Sequence, residues 1–115
     1  DAMENSYWIN HVAPEDPAMA DFFANYKKTY NDECKEFVNG ILAYDSIYWL
    51  ADAIERAGKV DSTAIKDALE NTVNVQLHHA VMSIDPATHN PMNKTGVVLV
   101  AKDGRAQFFT RIQPE

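Results

Sequence analysis

The chain has 115 residues and a net charge of −7, with 46% hydrophobic and 23% charged residues. This is the size and composition of one globular domain, and nothing basic clusters to neutralise a phosphate backbone, which argues against a nucleic-acid partner. No apolar run approaches the ~18–20 residues of a membrane span, and the single Cys34 rules out an intramolecular disulfide framework.

The first residues show no charged-then-apolar leader pattern, which leaves the location of the protein open. Ser6–Val12 is β-rich and aromatic and predicts a strand. The segment 13–17 breaks it, with Asp16 placed to cap a helix and Pro17 as its first residue. That helix is expected to run to Tyr30. Met19, Phe22, Phe23, Tyr26 and Tyr30 recur at helical spacing, and Asp21, Asn25, Lys27 and Lys28 point the other way.

After a polar loop, which carries Cys34 without an activating environment, comes the dominant stretch, Phe37–Ala57. Its apolar residues cover most of a helical circumference. Phe37, Ile41, Tyr44, Tyr48 and Ala51 form one line; Val38, Leu42 and Trp49 form a second; Ala43, Ile47, Leu50 and Ile54 form a third. A helix apolar nearly all round is expected to be buried, and Gly58 is placed to end it. A chain of 115 residues can barely wrap such a helix, so the mismatch predicts that it belongs to something larger.

Asp61 or Ser62 opens a third helix to about Asn71, with Ile65, Ala68 and Leu69 inward. Residues 72–79 read as a loop or a short extended piece. Ala80–Ile84 predicts a strand, residues 85–91 a long turn, and residues 95–101 and 106–112 two strands. Asp103-Gly104 supplies the positive φ angles of a tight hairpin between them. The order is one strand, three helices, then three strands, an α/β chain without internal repeats.

No constellation points to catalysis. His78 and His79 would face opposite ways on a strand, and with His11 and His89 they lack metal-ligand spacing, so surface or strand-edge imidazoles are the expectation. No glycine-rich phosphate loop or G-x-S-x-G occurs. Asp45, in the middle of the long helix, is expected to hydrogen-bond a neighbouring backbone or side chain at its packed edge; a ligand or lobe–lobe contact is the alternative. The chain is therefore read as not an enzyme, with no catalytic or metal-binding residue and no cofactor.

Five pieces in order carry a resemblance. The most specific are F-x-x-x-Y-K-K-x-Y at Phe22–Tyr30, A-Y-D-x-x-x-x-L-A-x-A-I at Ala43–Ile54 and D-P-x-T-H-N-P at Asp85–Pro91. Within the five stretches 7–30, 43–58, 61–71, 83–91 and 97–109 they resemble the C-terminal part of the type I periplasmic solute-binding proteins, and more narrowly the branched-chain amino-acid (Leu/Ile/Val) binding proteins of ABC transporters. The resemblance implies the C-terminal part of a two-lobed fold whose lobes close on a ligand. Residues 1–115 would be one fragment, with about 13–79 the helical part of the first lobe and about 80–115 a crossover strand and the terminal hairpin. It also implies ligand-binding positions at Phe37 and Asn39, with Tyr44 a further candidate.

The implied partners are an amino acid or similar small metabolite and an ABC transporter permease, outside the cytoplasm, free or lipid-anchored. The reading from a different class is a self-associating module, a homodimer through the exposed apolar surface. One departure stands out: where family members commonly carry a glycine before the strand leading to the D-P motif, this chain has His79 and Ala80, so the backbone there need not follow the family.

Overall fold

The computed structural model describes residues 2–113; residues 1, 114 and 115, the ends of the expected fragment, lie outside the described residues. Strand β1 is Tyr7–Asn10. A single 3-10 turn, Pro17–Met19, leads into helix α1, Ala20–Tyr30. Helix α2 is Phe37–Ala57 and α3 is Ser62–Glu70. Strands β2 (Val75–Gln76), β3 (Val81–Met82), β4 (Gly96–Lys102) and β5 (Arg105–Ile112) follow.

The helix ends are set by local chemistry. The Asp16 carboxylate accepts from Ala18 N at 3.0 Å with Pro17 at the first position, so the expected cap stands, though the first turn is 3-10. Asp61 caps α3 through Ala64 N at 2.9 Å. Gly58 closes α2 at φ 66°, and Asn31 closes α1 at φ 53°, the left-handed conformation that satisfies the last carbonyls. Asp103 and Gly104 both have positive φ between β4 and β5, which matches a primed hairpin turn.

The strands form two sheets. The larger has the order β1-β4-β5, wholly antiparallel, with Tyr7 opposite Val100 and Asn10 opposite Val97. The smaller is the hairpin of β2 and β3, so the strand expected at Ala80–Ile84 is short and pairs back onto Val75–Gln76. Ile84 adds one bridge to Pro91.

Burial is divided among three clusters. Val12, Met19, Phe22 and Ile41 form one between α1 and α2. Ala13, Val97 and Leu99, flanked by Trp8 and Phe108, form a second under the larger sheet. Leu77, Met82 and Ile84, flanked by Trp49 and Val75, form a third. The Cα radius of gyration is 16.5 Å and the extents are 53 × 39 × 19 Å. A compact domain of this length has a radius near ~13 Å, so this chain is a flat slab.

The slab leaves α2 half covered, which corrects the expectation of a buried helix. Ile41, Asp45 and Ala53 are buried, whereas Tyr44, Ile47, Tyr48 and Leu50 are exposed, Ile47 by 66%. Tyr30, on the apolar line of α1, is also exposed, and no residue of α3 is buried. The pattern is apolar all round because several faces of α2 can be covered; this chain covers one of them.

Polar contacts lock α2 to α3. Trp49 Nε1 donates to Thr72 Oγ1 at 2.8 Å, Arg56 donates to the same oxygen at 3.1 Å, and Arg56 also pairs with Asp52 at 2.7 Å. Thr72 is fully buried. The two faces of α2 should therefore respond differently to truncation. Ile41→Ala is expected to lower stability by about 3 kcal/mol through cavity formation, and Ile47→Ala by less than about 0.5 kcal/mol, as read by urea denaturation of the two variants.

Candidate functional site

The polar centre of the described structure is Asp45. It sits mid-helix on the covered face of α2, with only 1% of its surface exposed. One carboxylate oxygen accepts from His78 N at 3.1 Å and His78 Nδ1 at 2.7 Å. The other accepts from His79 N at 2.9 Å and from His79 Nδ1. The expected hydrogen bonding to neighbouring backbone and side chains at the packed edge is found, and its partners lie 33 and 34 positions away in sequence. The two histidines lie in the bend between β2 and β3, so their rings converge on one carboxylate where a strand would have separated them.

A carboxylate only accepts, so both Nδ1 atoms carry the ring hydrogen. The Nε2 atom of each ring is then the remaining face. For His79 that atom is buried without a hydrogen-bond partner. His79 is 4% exposed, which corrects the expectation of four surface imidazoles; His11, His78 and His89 are exposed. Neither His79 nor Ala80 has positive φ. The backbone there therefore needs no glycine, and Asp45 holds the N–H groups of His78 and His79.

His78 turns its ring edge toward Tyr44 and Tyr48, at centroid distances of 4.9 and 5.0 Å. The two tyrosine hydroxyls are 3.0 Å apart, and this hydrogen bond, with lesser effects of burial, Tyr48 and Asp45, pushes the Tyr44 hydroxyl up. Tyr44 and His78 form part of a groove of about 720 Å³ between α1 and α2, with Phe22, Tyr26, Tyr30 and Ile47 as its other large apolar walls. Asp21 is its acid, and no lysine or arginine lines it.

The three positions singled out from the sequence do not converge. Tyr44 lines the groove. Phe37, half-buried, stacks edge-on to Phe23 at 6.4 Å and packs against the first core cluster. Asn39 is exposed, and neither it nor Phe37 lines the groove. The sequence singles out Asp45 and the His78–His79 pair separately, and nothing local joins them. Among the described residues no group of three or more His, Cys, Asp or Glu side chains is placed to hold a metal ion. Burial pushes the Cys34 thiol up, with Glu36 adding to it, and the Cys34 sulfur lies where a side chain at Gly40 would collide with it at 2.8 Å.

Burial alone would push the Asp45 carboxyl up, but the hydrogen bonds from His79 and His78 outweigh it and hold the group down at about 2. The ordinary value is 3.8. The folded chain therefore binds this proton less readily than the unfolded chain, and the contribution is full above pH ~4 and lost as pH falls toward ~2. The difference corresponds to about 2 kcal/mol. Asp45→Asn is expected to cost about 3 kcal/mol at pH 7, because its amide group meets donors instead of accepting from them, and to remove this part of the acid dependence. Urea denaturation of both proteins at a series of pH values between 2 and 7 measures each effect.

Comparison with known proteins gives a consistent answer. The family model described as periplasmic binding protein matches residues 1–105. A leucine-binding protein from Thermotoga maritima is similar over 99% of this chain and 32% of its own, at 30% identity and TM-score 0.77. A protein described as a branched-chain amino-acid ABC transporter from Rhodospirillum rubrum is similar over 94% and 31%, at 22% identity and TM-score 0.74. A solute-binding protein from Rhodopseudomonas palustris, in complex with 3,4-dihydroxybenzoic acid, is similar over 98% and 32%, at 20% identity and TM-score 0.71. A search of curated proteins found no match. The chain spans about a third of the length of these solved relatives, and its strands and helices form part of a periplasmic-binding-protein type I fold. The chain belongs to the periplasmic binding protein family.

Proposed function

We propose that this chain is part of an extracytoplasmic receptor that captures an amino acid, of branched-chain type, for an ABC transporter. The observation that carries the reading is the uncovered face of α2. Tyr44, Ile47, Tyr48 and Leu50 stand exposed in a chain that matches one third of a leucine-binding protein along 99% of its own length. An apolar face of this extent asks for a partner, and the remainder of a two-lobed receptor is the partner this reading assigns to it. Residues 13–79 would then be the helical part of one lobe, and residues 80–115 the crossover strand and terminal hairpin.

In this reading the receptor works by closure of two lobes and performs no reaction. Phe37 and Asn39, at the first turn of α2, and Tyr44, one to two turns on, would face the ligand. The uncapped start of α2, where Glu36 makes no side-chain cap, suits a carboxylate through its free N–H groups. The homodimer expected through the same apolar surface finds no support in the comparisons, and the surface is assigned to the rest of the receptor. The dihydroxybenzoate held by one relative keeps small aromatic acids as the competing ligand class.

Calorimetric titration with leucine, isoleucine, valine and 3,4-dihydroxybenzoate tests this. The receptor that includes this chain is expected to bind a branched-chain amino acid in the micromolar range, and Phe37→Ala to weaken it about tenfold, or about 1.4 kcal/mol. The 115-residue chain alone is expected to give no heat of binding. Micromolar binding of an amino acid by the chain alone would overturn the two-lobe reading, and preference for the benzoate would move the ligand class.

A further inference from the structure

β1 and β4 are antiparallel, with Asn10 opposite Val97 at one end of the ladder. The residue after β1, His11, is thereby brought beside Lys94 and Thr95, the two residues before β4. With Ile9, Asn10 and Gly96 they line a cleft of about 290 Å³. Lys94 Nζ donates to His11 Nδ1 at 3.1 Å. A ring nitrogen that accepts carries no hydrogen, so the ring hydrogen of His11 is on Nε2. Asn10 Oδ1 accepts from His11 N at 2.8 Å, which leaves the side-chain amide N–H groups of Asn10 as the part that can serve a ligand. Thr95 adds a hydroxyl. The polar lining offers donors and contains no carboxylate.

The half-buried Lys94 ammonium forms no ion pair among the described residues. The acid whose charge reaches it is Asp45, and both oxygens of Asp45 are already held by His78 and His79. A cation drawn partly out of water without an anion beside it is costly, and here it sits in a chain whose net charge is −7.

We propose that this cleft binds a small carboxylate, paired with the Lys94 ammonium and hydrogen-bonded by Asn10 and Thr95. Electrostatics on both bases supports the site. Burial pushes Lys94 down, with Asp45 acting the other way. His11 is pushed down by burial, then by Lys94 and then by His79. An anion beside Lys94 offsets its charge and so relieves both. A monoanion fits better than a phosphate, because the cleft has one full cation, no arginine fork and no helix N-terminus to balance a second charge. A metal ion is disfavoured by the same donor set. The site rests on residues 9–11 and 94–96 alone and stands apart from the receptor reading, which leucine binding tests separately.

The test is an NMR titration of the uniformly labelled chain with sodium acetate, against acetamide and sodium chloride at matched ionic strength. Acetate is expected to shift Asn10, His11 and residues 94–96 saturably and to move the His11 titration midpoint upward. Lys94→Met is expected to abolish the response and Lys94→Arg to retain it. If Lys94→Met does not fold, Asn10→Ala with Thr95→Val is expected to weaken acetate binding at least tenfold. Equal shifts with chloride or acetamide, no saturation, or an unchanged response without Lys94 would each overturn the proposal, whether or not leucine binds elsewhere.

Discussion

The described fold depends on a single carboxylate being buried and fully used. Asp45 lies on the covered face of α2 and takes four hydrogens from two consecutive residues. The arrangement works because a histidine carries its Nδ1 hydrogen close to its own backbone N–H. One oxygen can therefore take both donors of one residue, and the second oxygen both donors of the next. A buried charge with fewer partners would cost several kcal/mol; with four it becomes a tie. The hairpin it holds, β2 with β3, has only two residue pairs, far below what stands unaided in water. Trp49 and the Leu77–Met82–Ile84 cluster close over the same region, so the tie and the third core support each other.

Charge performs the same service between the helices and the larger sheet. The buried Asp16, already capping the 3-10 turn before α1, also pairs with Arg111 of β5. Val12 and Ala13, two adjacent residues, belong to two different clusters. A slab only 19 Å thick in its shortest direction has no centre deep enough for one continuous core. Its stability is distributed over three small cores, joined at a few residues by hydrogen-bonded acids. Such a structure loses more from one broken polar join than a compact domain does, since little apolar burial is shared across the join.

What the sequence made legible follows the range of the physics involved. Caps act within one turn, so Asp16, Gly58 and Asp61 fixed helix ends that the structure keeps. The Asp103-Gly104 turn is equally local. The contact of Asp45 with His78 and His79 spans more than thirty residues and leaves no periodic trace. The two-residue strands fall below the length at which alternation can be seen. The pairing of β1 with β4 joins residues about ninety positions apart, and composition carries no information about it. The all-round apolar pattern of α2 stated that every face can be covered, without saying which face this chain covers. For the candidate ligand positions, spacing placed Phe37 and Tyr44 on one line, yet packing sends the first into a core with Phe23 and leaves the second in an open groove.

The chemistry of the uncovered face is itself informative. Its large residues include three tyrosines, Tyr44 and Tyr48 on α2 and Tyr30 on α1, beside Ile47 and Leu50. A tyrosine ring buries apolar area while its hydroxyl stays satisfied by water or by a polar neighbour, as Tyr44 and Tyr48 satisfy each other here. A face destined for permanent burial is better served by leucine and phenylalanine, which carry no polar atom to pair. The rings of Tyr44 and Tyr48 flank His78, whose orientation is fixed from beneath by Asp45. The buried tie thus reaches the exposed side of α2 through one imidazole. The helix is held by charge on one face and presents half-wet, largely aromatic surface on the other.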